Sequence, residues 1–230
     1  MKALTVIQHD SAEYLGLMED HLEGRRIRFR YIRPFTGAVR IPDLDLVGDG
    51  LVLLGAGPWG TAGERDLPTL AEELALARSC MMANKLVIGI GLGAQIVALA
   101  GGGEVVRAPL ACRVGTARRT GPDALAGYMP ESLPYVTYGR DRAIPPAHAR
   151  VLAVDEEGAP LAFQMGDTAF GFAFHPGLKT AMIEDLVMEF EESPEGIAEQ
   201  LQHVRSARRG IEDALVPMMT GLVSVTGLMQ

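Results

Sequence analysis

"VIGIGLGAQIVALAGGGEV", residues 87–105, runs from an apolar segment through Gly89, Gly91 and Gly93 into a second apolar stretch that Gly101-Gly102-Gly103 closes. Four or five apolar residues, a glycine turn and a helix form the strand–turn–helix on which many α/β enzymes mount a nucleophile, because the sharp turn lifts its apex residue clear of the sheet edge. The apex here is Gly91, and the turn holds no Ser, Cys or Thr. The fold signal and the chemical signal therefore part company within one motif.

Upstream, Ala3 to Gln8 reads as a buried strand, and Ser11 to Leu22 reads as a helix with Asp10 or Ser11 as its cap and Gly24 as its stop. Arg26 to Tyr31 alternates basic and apolar residues, the pattern of a half-buried strand with a solvated face. A Pro-, Gly- and Asp-rich loop leads to an apolar strand at Leu51 to Leu54, which ends in Gly55-Ala56-Gly57-Pro58-Trp59-Gly60. Leu67 to Met82 is helical, with Pro68 in its first turn, and Leu86 to Ile90 is the strand that enters the elbow. Apolar strands alternating with helices predict an α/β fold: a doubly wound, mostly parallel sheet flanked by helices.

Beyond the elbow helix, Leu92 to about Ala100, the pattern changes. Pro134 to Tyr138, Arg150 to Val154, Leu161 to Met165 and Ala169 to Phe174 are short strand-like pieces joined by turn signals, which predicts antiparallel pairing. Leu178 to Glu191 is helical, Ser193-Pro194-Glu195 is a cap, and two further helices are expected over Glu195 to Arg209 and Ile211 to about Val223. We divide the chain into a main domain, 1–192, and a C-terminal helical extension, 193–230, packed on it.

Composition narrows the chemistry. The 230 residues carry a net charge of −8, which opposes binding to nucleic acid. No apolar run approaches the roughly 18 residues of a membrane span, and the amino-terminal apolar run is too short for a signal peptide, so the expected location is cytoplasmic. Cys80 and Cys112 form no metal motif, and His9, His21, His148, His175 and His203 are scattered, so neither a metal nor another cofactor is expected.

Ligands in open parallel sheets bind beyond the carboxyl ends of the strands. Three segments reach that edge: Gly55-Ala56-Gly57-Pro58, Gly89-Ile90-Gly91-Leu92-Gly93-Ala94-Gln95, and Phe174-His175-Pro176-Gly177. In this order they resemble the class I, triad-type glutamine amidotransferases, in particular their stand-alone, GMP-synthase-like branch. The likeness spans roughly residues 45 to 190 and implies a flavodoxin-like fold. In that family a Cys attacks the glutamine side-chain amide, a His activates it, an acid orients the His, and backbone amides hold the oxyanion. Carried over by position, Gly91 stands at the nucleophile, His175 at the base and Gly177 at the acid. Ala56, Gly57 and Leu92 stand at the oxyanion site, and Gln95 matches a further family residue.

No other residue takes the vacant roles. Cys80 lies one strand length, roughly 17 Å, toward the opposite sheet edge, and Cys112 reads as a small buried hydrophobe. Glu184, Asp185 and Asp167 read as surface carboxylates rather than partners of His175, whose own plain reading is a strand-end imidazole bonded to backbone. Trp59 and Tyr138 are candidates for the cleft mouth. Three functions compete: a binding or regulatory pseudo-enzyme serving an ammonia-using synthase; an amidotransferase acting on glutamine or a γ-glutamyl compound with His175 as base; and an oligomerisation protein. The last would form a homodimer through helices bearing Met188, Met218, Met219, Leu222 and Met229.

Overall fold

The computed structural model describes residues 2–229. Strand β1 (Ala3–Ile7) leads through helix α1 (Met18–Gly24) to β2 (Arg28–Ile32), and β3 (Gly50–Leu53) leads through α2 (Leu70–Met82) to β4 (Leu86–Ile90). The elbow then opens α3 (Leu92–Ala100). Strands β3 and β4 carry no polar side chain and β1 only Thr5, because helices cover both faces of the sheet there. β2 is the edge strand, and its Arg28 and Arg30 side chains point to solvent as the alternation predicts.

After α3 come β5 (Glu104–Val106), β6 (Ala111–Arg119), β7 (Ser132–Gly139), β8 (Arg142–Ile144), β9 (Arg150–Val154), β10 (Pro160–Met165) and β11 (Ala169–Phe172). The main sheet runs β2-β1-β3-β4-β11-β10-β9-β6-β7, with β5 and β8 paired separately. Its first five strands are mutually parallel and the rest pair antiparallel, as the change of pattern predicts. The decisive pairing is β11 on β4, with Phe172 opposite Ile90, because it brings the segment after β11 beside the elbow although 81 residues separate the two partners in sequence. Helices α4 (Thr180–Glu189) and α5 (Ile197–Thr226) complete the chain. Among the described residues no helix is long and apolar enough to cross a membrane.

Three expected helices come out differently. Ser11 to Leu22 is not one helix: Asp10 Oδ1 accepts the N–H groups of Ala12 and Glu13, at 2.9 and 2.7 Å, as a cap would, but no helical turn follows it. Gly16, at φ +62°, then redirects the chain, so only Met18–Gly24 is helical. At the other end, the two expected helices are one. Gly210 does not break α5, because it is there for close approach: a Cβ would stand 2.8 Å from Pro134 Cγ. The helix starts after Gly196, at φ +68°, rather than at Glu195. Met218, Met219 and Leu222 are buried in the core with Leu125 and Leu133, so they are not available to a dimer interface; Met188 and Met229 are exposed.

Candidate functional site

The elbow is built as its glycines predict. Gly91 adopts φ 59° and ψ −120°, a region costly for any residue with a side chain. Its N–H donates to Phe172 O at 2.8 Å, and its carbonyl accepts Ala94 N–H at 3.0 Å, so the apex is tied to β11 and to its own helix. Gly93 lets α3 press on β3: a Cβ there would lie 2.0 Å from Leu53 O. Gly91 is less crowded. Its Cβ would meet only Gly55, with the Cα at 3.3 Å, so the backbone geometry of a nucleophile mount persists with no nucleophile on it.

His175 lies at the end of the neighbouring strand but is turned to other work. Its Nε2–H donates to Tyr14 O at 2.7 Å, while Nδ1 accepts Gly177 N–H at 3.1 Å. Both ring nitrogens are thus held by backbone, as in the plainer of the two sequence readings, and burial pushes the pKa down to about 4, keeping the ring neutral. Gly177 is hemmed in. A Cβ there would lie 2.7 Å from Met18 Cγ, 2.8 Å from Met18 N and 3.0 Å from Leu15 O, so no acid fits without moving the start of α1.

A cavity of about 270 Å³ opens beside the elbow. Its lining includes Ala56, Gly57, Gly91 and Leu92 with Trp59, Tyr135, Tyr138 and Leu161, and the charged Arg113, Arg140, Asp141, Arg142 and Asp155, while His175 is not part of it. Mostly apolar walls with a few polar groups suit a small ligand. Gln95 braces the site: Nε2 donates to Arg140 O at 2.8 Å and Oε1 accepts Thr61 Oγ1–H at 2.7 Å. Asp141 Oδ2 takes the N–H groups of Thr61 and Ala62, at 3.0 and 3.1 Å, and Arg140 ion-pairs with Glu192. As the first residue of α3, Leu92 has an N–H with no intrahelical acceptor. The Gly57 N–H, by contrast, donates to Glu13 Oε2 at 2.6 Å.

The sequence reading missed that carboxyl group and its neighbours. His9 bonds Gly55 O at 2.9 Å through Nδ1 and Glu73 at 2.9 Å through Nε2, in a pair removed from solvent. Burial opposes charge on His9, but the Glu73 carboxylate and the bonds to Glu73 and Gly55 outweigh it and raise the imidazole to about 9. Asp10 and Glu13 face each other as a carboxyl pair; burial raises them to about 6 and about 8, with the Asp10 charge adding to the second. Among the described residues, Asp10 Oδ2 and Tyr138 Oη are buried side-chain oxygens without a hydrogen-bond partner. The available signal is His9-Asp10-x-x-Glu13 directly after β1, at the sheet edge where ligands bind; in the sequence Asp10 reads as a helix cap and Glu13 as part of the helix it caps.

The remaining candidates lie apart. Cys80 is buried on α2, and Cys112 is buried on β6 with its thiol pushed up to about 11 by burial. Glu184 pairs with Arg205 at the surface. No cluster of three or more His, Cys, Asp or Glu suited to a metal ion occurs among the described residues.

The fold has well-matched relatives. A glutamine amidotransferase from Thermotoga maritima superposes with a TM-score of 0.81 at 20% identity, covering 98% of each chain. One from Methylobacillus flagellatus gives 0.76 at 24% identity, with 96% of each chain covered. A putative GMP synthase subunit from Thermoplasma acidophilum gives 0.57 at 18% identity, over 91% of this chain and 96% of that one. No protein among the curated sequences matches. The family description "Glutamine amidotransferase class-I" matches residues 28–187, more than half of the sequence and including the elbow, His175 and Gly177. The chain belongs to the class I glutamine amidotransferase family.

Proposed function

We propose that this chain is a binding or regulatory member of its family that does not hydrolyse glutamine by the covalent route. The arrangement of His175 carries this reading. A base must offer a lone pair toward the reacting group, whereas the only lone pair of this neutral imidazole accepts from Gly177 N–H. Gly91 supplies no nucleophile, and the space for an acid at Gly177 is filled by α1. The alternative enzyme, with His175 as base on glutamine or a γ-glutamyl compound, requires that histidine to leave both backbone partners and turn toward a cavity it does not line.

The persistent cavity supports retained ligand binding at the former reaction site, with glutamine or a related small molecule as the first candidate. The family, together with a structural relative described as belonging to a GMP synthase, supports a regulatory role beside an ammonia-using synthase. The test is ammonia release from glutamine, measured on the chain alone and with candidate synthases, alongside a thermal shift with glutamine. A stabilising shift without ammonia is the expected result. Robust turnover would overthrow the proposal.

A further inference from the structure

Strand β2 is the open edge of the main sheet, and its only neighbour is β1. Arg28 N–H donates to Lys2 O and Ile32 O accepts Gln8 N–H, so residues 28, 30 and 32 turn their backbone groups toward β1. In a parallel pair the residues between them face the other way. The N–H and C=O groups of Phe29 and Tyr31 therefore point outward, with no strand to meet them among the described residues. Side chains alternate as well: Arg28 and Arg30 stand exposed on one face, while Phe29 and Tyr31, stacked edge to face at 5.9 Å, are half-buried on the other. Charge sets this edge apart. Residues 25–42 hold six arginines, Arg25, Arg26, Arg28, Arg30, Arg33 and Arg40, with no acid and no lysine, a net +6 in a chain of net −8. Among the described residues no carboxylate lies in ion-pair contact with any of the six. Phe35 and Val39, in the loop that continues the strand, are exposed.

We propose that the β2 edge is a docking surface for an extended, acidic segment of a partner protein, which adds to the sheet as a further strand. None of these residues lines the cavity, so the inference stands whatever the cavity binds. Backbone pairing with Phe29 and Tyr31 supplies affinity, and the arginines select the sequence that pairs. An added strand sets its side chains in line with those of β2, so acidic residues beside Arg28 and Arg30 alternate with apolar ones beside Phe29 and Tyr31. Two other occupants fit less well. A second copy of β2 would set Arg against Arg, and like charges directly opposite one another are destabilising. A nucleic acid would answer the charge but leave the outward N–H and C=O groups of the strand without the ladder that only a polypeptide provides.

A synthetic heptapeptide of alternating Glu and Val tests this, read by the NMR shifts of the Phe29 and Tyr31 amides at low ionic strength. The peptide is expected to shift both amides of the wild type, and its affinity to fall at least about tenfold in Arg26→Glu/Arg28→Glu. A Lys–Val heptapeptide should not bind. Neither should the Glu–Val peptide N-methylated at every residue, which keeps the charges and removes the backbone donors. Binding of the N-methylated peptide as tightly as its parent, or tighter binding of an oligothymidylate of equal charge, would overturn the proposal by showing a patch that reads charge alone. No shift at Phe29 and Tyr31 with the Glu–Val peptide would overturn it directly, as would undiminished binding to the doubly substituted variant.

Discussion

The His175 imidazole and the Tyr14 carbonyl are joined by a hydrogen bond of 2.7 Å that fixes the ring as the neutral Nε2–H tautomer, with Nδ1 committed to Gly177 N–H. The ring has no lone pair left for a neighbouring thiol. Restoring the nucleophile with Gly91→Cys should therefore leave ammonia release from glutamine at background. Turnover typical of the family from this one substitution would show that His175 swings free of Tyr14.

Gly177→Glu should destabilise the fold rather than repair the triad. Atoms of Met18 and Leu15 stand within 3.0 Å of its Cβ position, and overpacking of this kind costs about 1–3 kcal/mol before the burial of a carboxylate is added. A urea midpoint shift corresponding to at least about 2 kcal/mol is expected. An unchanged midpoint would mean that the start of α1 yields easily.

Stability should fall between pH 6.5 and 9. The folded Glu13 holds its proton to about 8 against 4.5 for the free side chain, and His9 holds its proton to about 9 against 6.5, so the folded state binds more protons across this range and loses stability as they leave. His175 acts in the other direction: it is depressed to about 4, so its contribution is lost as pH falls from 6.5 toward 4. Below pH 6.5 the slopes of Glu13 and His175 oppose, making the acid limb the shallower one. Melting temperature against pH reads this directly, and Glu13→Gln should flatten the decline between pH 6.5 and 8.

Glu73→Ala should be among the most damaging single substitutions, because it leaves His9 buried beside Gly55 without its counter-charge. Breaking a buried pair by removing one member costs about 3–5 kcal/mol. A chemical denaturation curve of Glu73→Ala checks this, and a loss below about 1 kcal/mol would show that His9 discharges or escapes to solvent.

Much of the fold was legible because its signals are local. The apolar runs at β3 and β4, the glycines of the elbow and the turn-separated strands after Glu104 each depend on a few adjacent residues. The missed features depend on contacts distant in sequence. Gly210 resembles a helix break until Pro134 is found packed against it, and Asp10 resembles a helix cap until Glu13 is seen reaching Gly57. The site was legible in the same uneven way. The glycine at the apex shows an elbow with no reactive side chain, but that His175 is tied to Tyr14 can be known only once β11 and the segment after β1 are placed together.

The contact between Gly16 and Gly177 bears on the substitutions open to this chain. A side chain on either would collide with the other's surroundings: a Cβ on Gly16 would stand 2.1 Å from Gly177 O, and one on Gly177 would run into Met18 and Leu15. Leu17 N–H seals the approach with a 2.8 Å bond to Gly177 O. Two backbones closed together in this way act as a ratchet. Placing an acid at 177 needs the segment at residues 15–18 to be rebuilt first, so that substitution made alone passes through a less stable protein.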